Sequence, residues 1–156
     1  MISGRPGFTL VELIVASSIS VLLFTFGLAA YRGFGSRQAL SQAGASFQTQ
    51  LRLIQQKAIS GEKPTGCLGT LNKYTVSWSG AGSFEVKAAC APELTLNDAV
   101  LDQNDPNIQF SANFTVEFPV LKAEVADVSQ TITISKGTLN YEITVGRNGV
   151  ISGRLL

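Results

Sequence analysis

The chain has 156 residues, 12 Lys and Arg against 11 Asp and Glu, and a formal net charge of +1, so no long-range field draws it to nucleic acid or anionic lipid. It contains no histidine, which removes the usual general base at neutral pH and excludes Ser–His–Asp and Cys–His hydrolytic machinery. Cys67 and Cys90 are too few and too far apart for a zinc site. No metal or other cofactor is expected, and the chain reads as a non-enzyme.

A mean hydropathy of +0.22 is high for a soluble domain and points to one concentrated apolar segment. That segment is at the amino terminus. After Met1-Ile2-Ser3-Gly4-Arg5-Pro6-Gly7, the only charge between Phe8 and Tyr31 is Glu12. At ~1.5 Å per residue this stretch makes a helix of roughly 36 Å, against about 30 Å of hydrocarbon in a bilayer. Three readings compete: a secretory signal peptide, an ordinary membrane anchor, and a leader followed by an assembly helix. Arg5 and Gly27-Leu28-Ala29 supply a signal peptide's basic start and cleavage site, but the apolar run is long and carries a carboxylate in its first turn. An acid at the centre of a membrane helix costs about 2.5–3.5 kcal/mol. Glu12, near the end of the run, costs less but still wants a partner.

Gly7-Phe8-Thr9-Leu10-Val11-Glu12 resembles the class III signal of type IV prepilins and type II secretion pseudopilins, in which a short leader ends in Gly before Phe, with Glu at the fifth mature position. The resemblance implies a leader over 1–7, a transmembrane and assembly helix over 8–31, and cleavage between Gly7 and Phe8. The prepilin peptidase would also N-methylate Phe8. It implies a single-pass protein of the inner membrane with its carboxy-terminal domain outside, later transferred to a pilus or pseudopilus. Implied partners are the peptidase/methyltransferase, other pilin or pseudopilin subunits, the inner-membrane assembly platform, and membrane lipid before assembly. Glu12 would pair with the amino terminus of a neighbouring subunit. Any other axial stagger leaves the carboxylate without a counter-charge. The Pro that many major pilins carry midway along this helix is absent; Ala29 stands thereabouts, with Gly27 nearby. Arg5 precedes the span while Arg32 and Arg37 follow it, so charge alone does not orient the protein.

Over 32–60 the pattern stays helical and becomes amphipathic, with Leu40, Ala43, Phe47, Leu51, Ile54 and Ala58 at intervals of three and four. Gly33, Gly35 and Gly44 suggest bending or close approach of a neighbouring helix. Gly61 and Pro64 form a stop signal. The bland reading of the stripe is a helix packed on its own globular domain. The spacing of Phe47, Leu51, Ile54 and Ala58 also resembles the minor pseudopilins of the H type and the FimT-like minor pilins, which implies a minor subunit.

From residue 61 to 156 a β-rich exported domain is expected. Residues 74–78 and 84–88 alternate around a Gly-rich turn, as a hairpin with one apolar face. Tyr74 and Trp78 read as core rather than as a base-stacking platform. Further strands are expected at 93–96, 108–110, 115–118, 131–135, 139–145 and 150–155, with turns at Lys136-Gly137 and Arg147-Asn148-Gly149. A long helix followed by short antiparallel strands is an α+β arrangement. Cys67 and Cys90 flank the first hairpin. Outside the cytoplasm they read as a structural disulfide worth roughly 3 kcal/mol by loop closure, with two free core thiols as the alternative.

Asn97, Asp98, Asp102, Asn104 and Asp105 crowd what reads as one loop. Its spacing matches no EF-hand, so a solvated turn is favoured over calcium. Asn113-Phe114-Thr115 fits a glycosylation sequon. Lys73, Lys87, Lys122, Lys136, Arg147 and Arg154 are scattered in sequence, and DNA binding by a FimT-like minor pilin is one alternative function for them. A second alternative is a secreted ligand-binding β-domain whose apolar segment is removed after export.

Overall fold

The computed structural model describes residues 9–80, 83–100, 105–125 and 129–156. One helix, α1 (Leu10–Ser60), precedes eight strands. These are β1 (Lys73–Trp78), β2 (Ser83–Ala88), β3 (Leu94–Val100), β4 (Gln109–Phe110), β5 (Phe114–Pro119), β6 (Gln130–Lys136), β7 (Leu139–Val145) and β8 (Ile151–Leu155). They form two four-stranded sheets ordered β3-β2-β1-β5 and β4-β6-β7-β8, antiparallel at every pairing. The fold is α+β. The chain divides after Arg37 into two compact units.

In the first unit, the residues of Leu10–Gly27 are exposed, and their mean hydropathy is 2.1. This helix is long and apolar enough to cross a membrane or to serve as a signal sequence. Its hydroxyls are turned inward along the helix. Ser18 and Ser20 donate to the carbonyls of Ile14 and Ala16 at 2.8 Å, and Thr25 to Val21 at 2.9 Å. Bonds of this kind satisfy the side chain within its own helix, as an apolar surrounding requires. A β-carbon at Gly27, Gly33 or Gly35 would meet nothing within 4 Å.

The second unit begins at Gln38 and contains the rest of α1. Leu40, Ala43, Phe47, Leu51, Ile54 and Ala58 are all buried, as the intervals of three and four predict. Phe47 is the meeting point of the two sheets. Its ring lies edge-on to Phe84 of β2 and Phe110 of β4, both at 5.0 Å between centroids, and to Phe114 of β5 at 5.8 Å. Such edge-to-face pairs add about 0.5–1.5 kcal/mol each beyond the area they bury. Alternate strand residues supply the remaining core: Tyr74, Val76, Val116 and Phe118 from one sheet, Ile132, Ile134, Ile143 and Val145 from the other. Trp78 is only half-buried, resting on Phe110 with centroids 5.4 Å apart.

Gly44 does permit a close approach, but of a sheet residue rather than a helix. A β-carbon there would lie 2.3 Å from Cδ1 of Tyr141 on β7. Beside this contact a polar seam ties α1 to the start of β8. Gln48 and Arg52 both donate to the Ile151 carbonyl, at 3.0 and 2.8 Å, and Gln55 donates to Gly149 O at 2.7 Å. These bonds occupy main-chain acceptors at the edge of the second sheet, which would otherwise invite pairing with another chain. Gly149 has φ +80°, and a β-carbon on it would lie 2.1 Å from the Ala123 carbonyl oxygen. Only glycine fits this turn.

The strand expected at 93–96 is longer than its sequence suggests. β3 runs to Val100, and Asn97 and Asp98 stand opposite Val86 and Glu85 in its ladder. The supposed acidic loop is thus partly strand, because main-chain pairing with β2 overrides the low strand propensity of Asn and Asp.

Phe47→Ala should destabilise the domain by about 3–5 kcal/mol through the cavity it leaves, whereas Leu53→Ala, on the exposed side of the same helix, should change stability by less than about 0.5 kcal/mol. Denaturant unfolding of both variants measures the difference.

Candidate functional site

Gly7 and Phe8, the expected cleavage and methylation positions, lie outside the described residues. The adjoining helix start is described. Thr9 caps it, accepting a 3.3 Å hydrogen bond from the Glu12 backbone N–H through its hydroxyl. Thr9 and Glu12 have the spacing of a capping box, and a carboxylate in the first turn also suits the helix dipole. These local effects account for Glu12 as a helix starter. They leave its carboxylate exposed, without an ion pair or side-chain hydrogen bond among the described residues. An acid at the end of an apolar helix is therefore open to a cation from outside the described residues.

The segment leading out of α1 is bound at several points. Gly61, with φ +66°, ends the helix, and Glu62 N–H returns to Lys57 O at 3.1 Å. The Tyr74 hydroxyl then donates to Glu62 O, and Lys63 Nζ donates to Gly69 O at 2.9 Å. Burial pushes the Tyr74 phenol above its ordinary pKa, with the Glu62 charge adding to the effect. Cys67 and Cys90 are joined, with sulfurs 2.07 Å apart and Cα atoms 5.6 Å apart. The bond is half-buried against the core and ties this segment to the chain leaving β2.

Of the Asn/Asp-rich stretch, Asp102 and Asn104 lie outside the described residues. Asp105 faces Lys136 at the end of β6 and accepts the Asn107 backbone N–H at 3.0 Å. The Lys136 ammonium, hydrogen-bonded to it, holds the Asp105 carboxyl below its ordinary 3.8, and the Asn107 N–H lowers it further. Among the described residues, no group of three or more His, Cys, Asp or Glu side chains gathers to hold a metal ion.

The scattered basic residues are largely spoken for. Lys73 meets Glu117 at 2.6 Å, Lys87 meets Glu85 at 2.9 Å, and Arg154 meets Glu142 at 2.7 Å. Strand register brings Lys73 to Glu117 and Arg154 to Glu142, which no spacing in the sequence announces, whereas Glu85 and Lys87 lie two apart on one face of β2. The polar seam of Gln48, Arg52 and Gln55 was equally unannounced, although its intervals of four and three mark one helix face.

Replacing both Cys67 and Cys90 by Ser should lower domain stability by about 2–4 kcal/mol, read as a shift in the denaturant midpoint that matches the effect of reductant on the parent chain. Asp105 adds a pH dependence of known sign. Its folded-state pKa is lowered, so its contribution is present above the unfolded value and is lost as pH falls through the folded one. Acid titration of Asp105→Asn should show a smaller loss of stability below pH 3.8 than the parent chain.

Comparison with protein-family models, with curated proteins and with solved structures finds no match to this chain.

Proposed function

We propose that the chain is a pilin-like structural subunit, assembled through its amino-terminal helix into a type IV pilus or a type II secretion pseudopilus. A prepilin peptidase cuts between Gly7 and Phe8 and methylates the new Phe8 amine. Before assembly the protein crosses the inner membrane once, with its β-domain on the far side. The subunit works by packing rather than by catalysis. The intervals of Phe47, Leu51, Ile54 and Ala58 favour a minor subunit.

The observation that carries the reading is an apolar helix exposed over Leu10–Gly27, whose one charge, Glu12, has no partner among the described residues. Cleavage before Phe8 creates a cationic amine one helical turn from Glu12, and N-methylation preserves that charge. In a filament, each Glu12 meets the amine of a neighbouring subunit. Burial of an acid that has only one available counter-charge selects the axial register, since breaking a buried pair costs about 3–5 kcal/mol.

Intact mass and amino-terminal sequencing of membrane-extracted protein test the processing. The expected product starts at N-methyl-Phe8 when the peptidase is present and at Met1 when it is absent. A product starting near Ala30 or Tyr31 would instead indicate a secreted domain, and retention of Met1 in peptidase-proficient cells would refute the proposal. Glu12→Ala should leave cleavage largely intact and reduce incorporation into sheared filaments by an order of magnitude or more, as loss of a buried pair implies.

A further inference from the structure

The turn between β7 and β8 carries a reactive pair of residues that the fold holds still. Of the asparagines in the chain, Asn148 is the one followed by glycine. In such a pair the Gly main-chain nitrogen can attack the Asn side-chain carbonyl, since no β-carbon on the second residue hinders the approach or restricts the backbone. Asn148 is exposed, so water reaches it.

The turn opposes that attack at several points. Gly149 N–H donates to Gly146 O at 2.8 Å, which engages the nitrogen that would attack. The Asn148 side-chain oxygen accepts from Val150 N–H at 3.2 Å. It also lies over Gly146, where a β-carbon would stand 2.6 Å from it. Gln55 of α1 donates to Gly149 O at 2.7 Å. Gly149 itself, at φ +80°, is seated against the Ala123 carbonyl with no room for a β-carbon. Closing a ring between Gly149 N and the Asn148 side chain requires the peptide between them to rotate out of this turn. That rotation gives up the bonds to Gly146 and Gln55 together.

We propose that Asn148 is a latent deamidation site that the fold keeps closed, so that deamidation there marks chains whose last hairpin has opened. Gly149 N bonds to Asn148 Cγ, and the side-chain nitrogen leaves as ammonia, carrying the proton lost from Gly149 N. One water then opens the cyclic imide at either carbonyl, giving aspartate or isoaspartate. The aspartyl product keeps an oxygen for Val150 N–H. The isoaspartyl product has a longer main chain, which cannot restore the seat of Gly149 against Ala123. The proposal is independent of how the amino-terminal helix is used.

The full chain in detergent is held at mildly alkaline pH, native and in guanidinium chloride, and peptide mapping follows conversion of Asn148 to aspartate and isoaspartate. Because the ring closes only from the opened turn, the native rate is the unfolded rate multiplied by the open fraction. Conversion in the native chain should therefore be at least about tenfold slower than in denaturant. Gln55→Ala, which releases Gly149 O, should speed native conversion about three- to tenfold, the effect of one lost hydrogen bond. Leu53→Ala, on the exposed side of the same helix, should leave the rate unchanged. The comparison on the parent chain stands even where Gln55→Ala fails to fold. Equal rates in the native and denatured chain, or no acceleration in a folded Gln55→Ala variant, would overturn the proposal.

Discussion

The carboxy-terminal domain turns on the burial of one face of α1, and Phe47 is where that burial couples the sheets. Phe84 and Phe114 belong to one sheet and Phe110 to the other, yet all three rings pack on the same side chain. Neither sheet needs to pair strands with the other. Each instead lays an apolar face against the helix, and Phe47 fills the space where those faces converge. Tyr141 needs the bare backbone of Gly44 to approach, and the β8 edge needs Gln48, Arg52 and Gln55 on the next face of the helix.

A second constraint acts on the part of α1 that precedes this domain. From Leu10 to Gly27 no residue is buried, and the seryl and threonyl hydroxyls bond to their own helix. Water is a poor environment for such a surface, so an apolar phase or another helix is its natural complement. Glu12 conflicts with that complement. Its place in the first turn assists the helix start, but its free carboxylate demands a cation wherever the helix is buried. A pilin-like assembly resolves the conflict by supplying the cation from an adjoining chain end, and for that reason we favour it over a simple anchor.

The solvent-facing sides of the two sheets carry polar groups that are largely paired. Cross-strand ion pairs at Lys73–Glu117 and Glu142–Arg154 neutralise each sheet locally.

Much of the architecture was legible in the chain because it depends on periodicity. Intervals of three and four placed Leu40, Ala43, Phe47, Leu51, Ile54 and Ala58 on one buried face, and alternation located β1, β2, β6 and β7 within a residue or so. Gly7, Phe8 and Glu12 stand out by residue type and spacing, whereas the pairing we propose for Glu12 would lie between chains and so has no counterpart in one chain. Cys67 and Cys90 were legible as a pair, but bond formation needed the end of β2 to meet the segment after α1. Strand order was decided only in three dimensions, since side-chain alternation reports which face is buried and not which neighbour supplies the hydrogen bonds. The same reason explains why Asn97 and Asp98 proved to be strand and why Asp105 found Lys136.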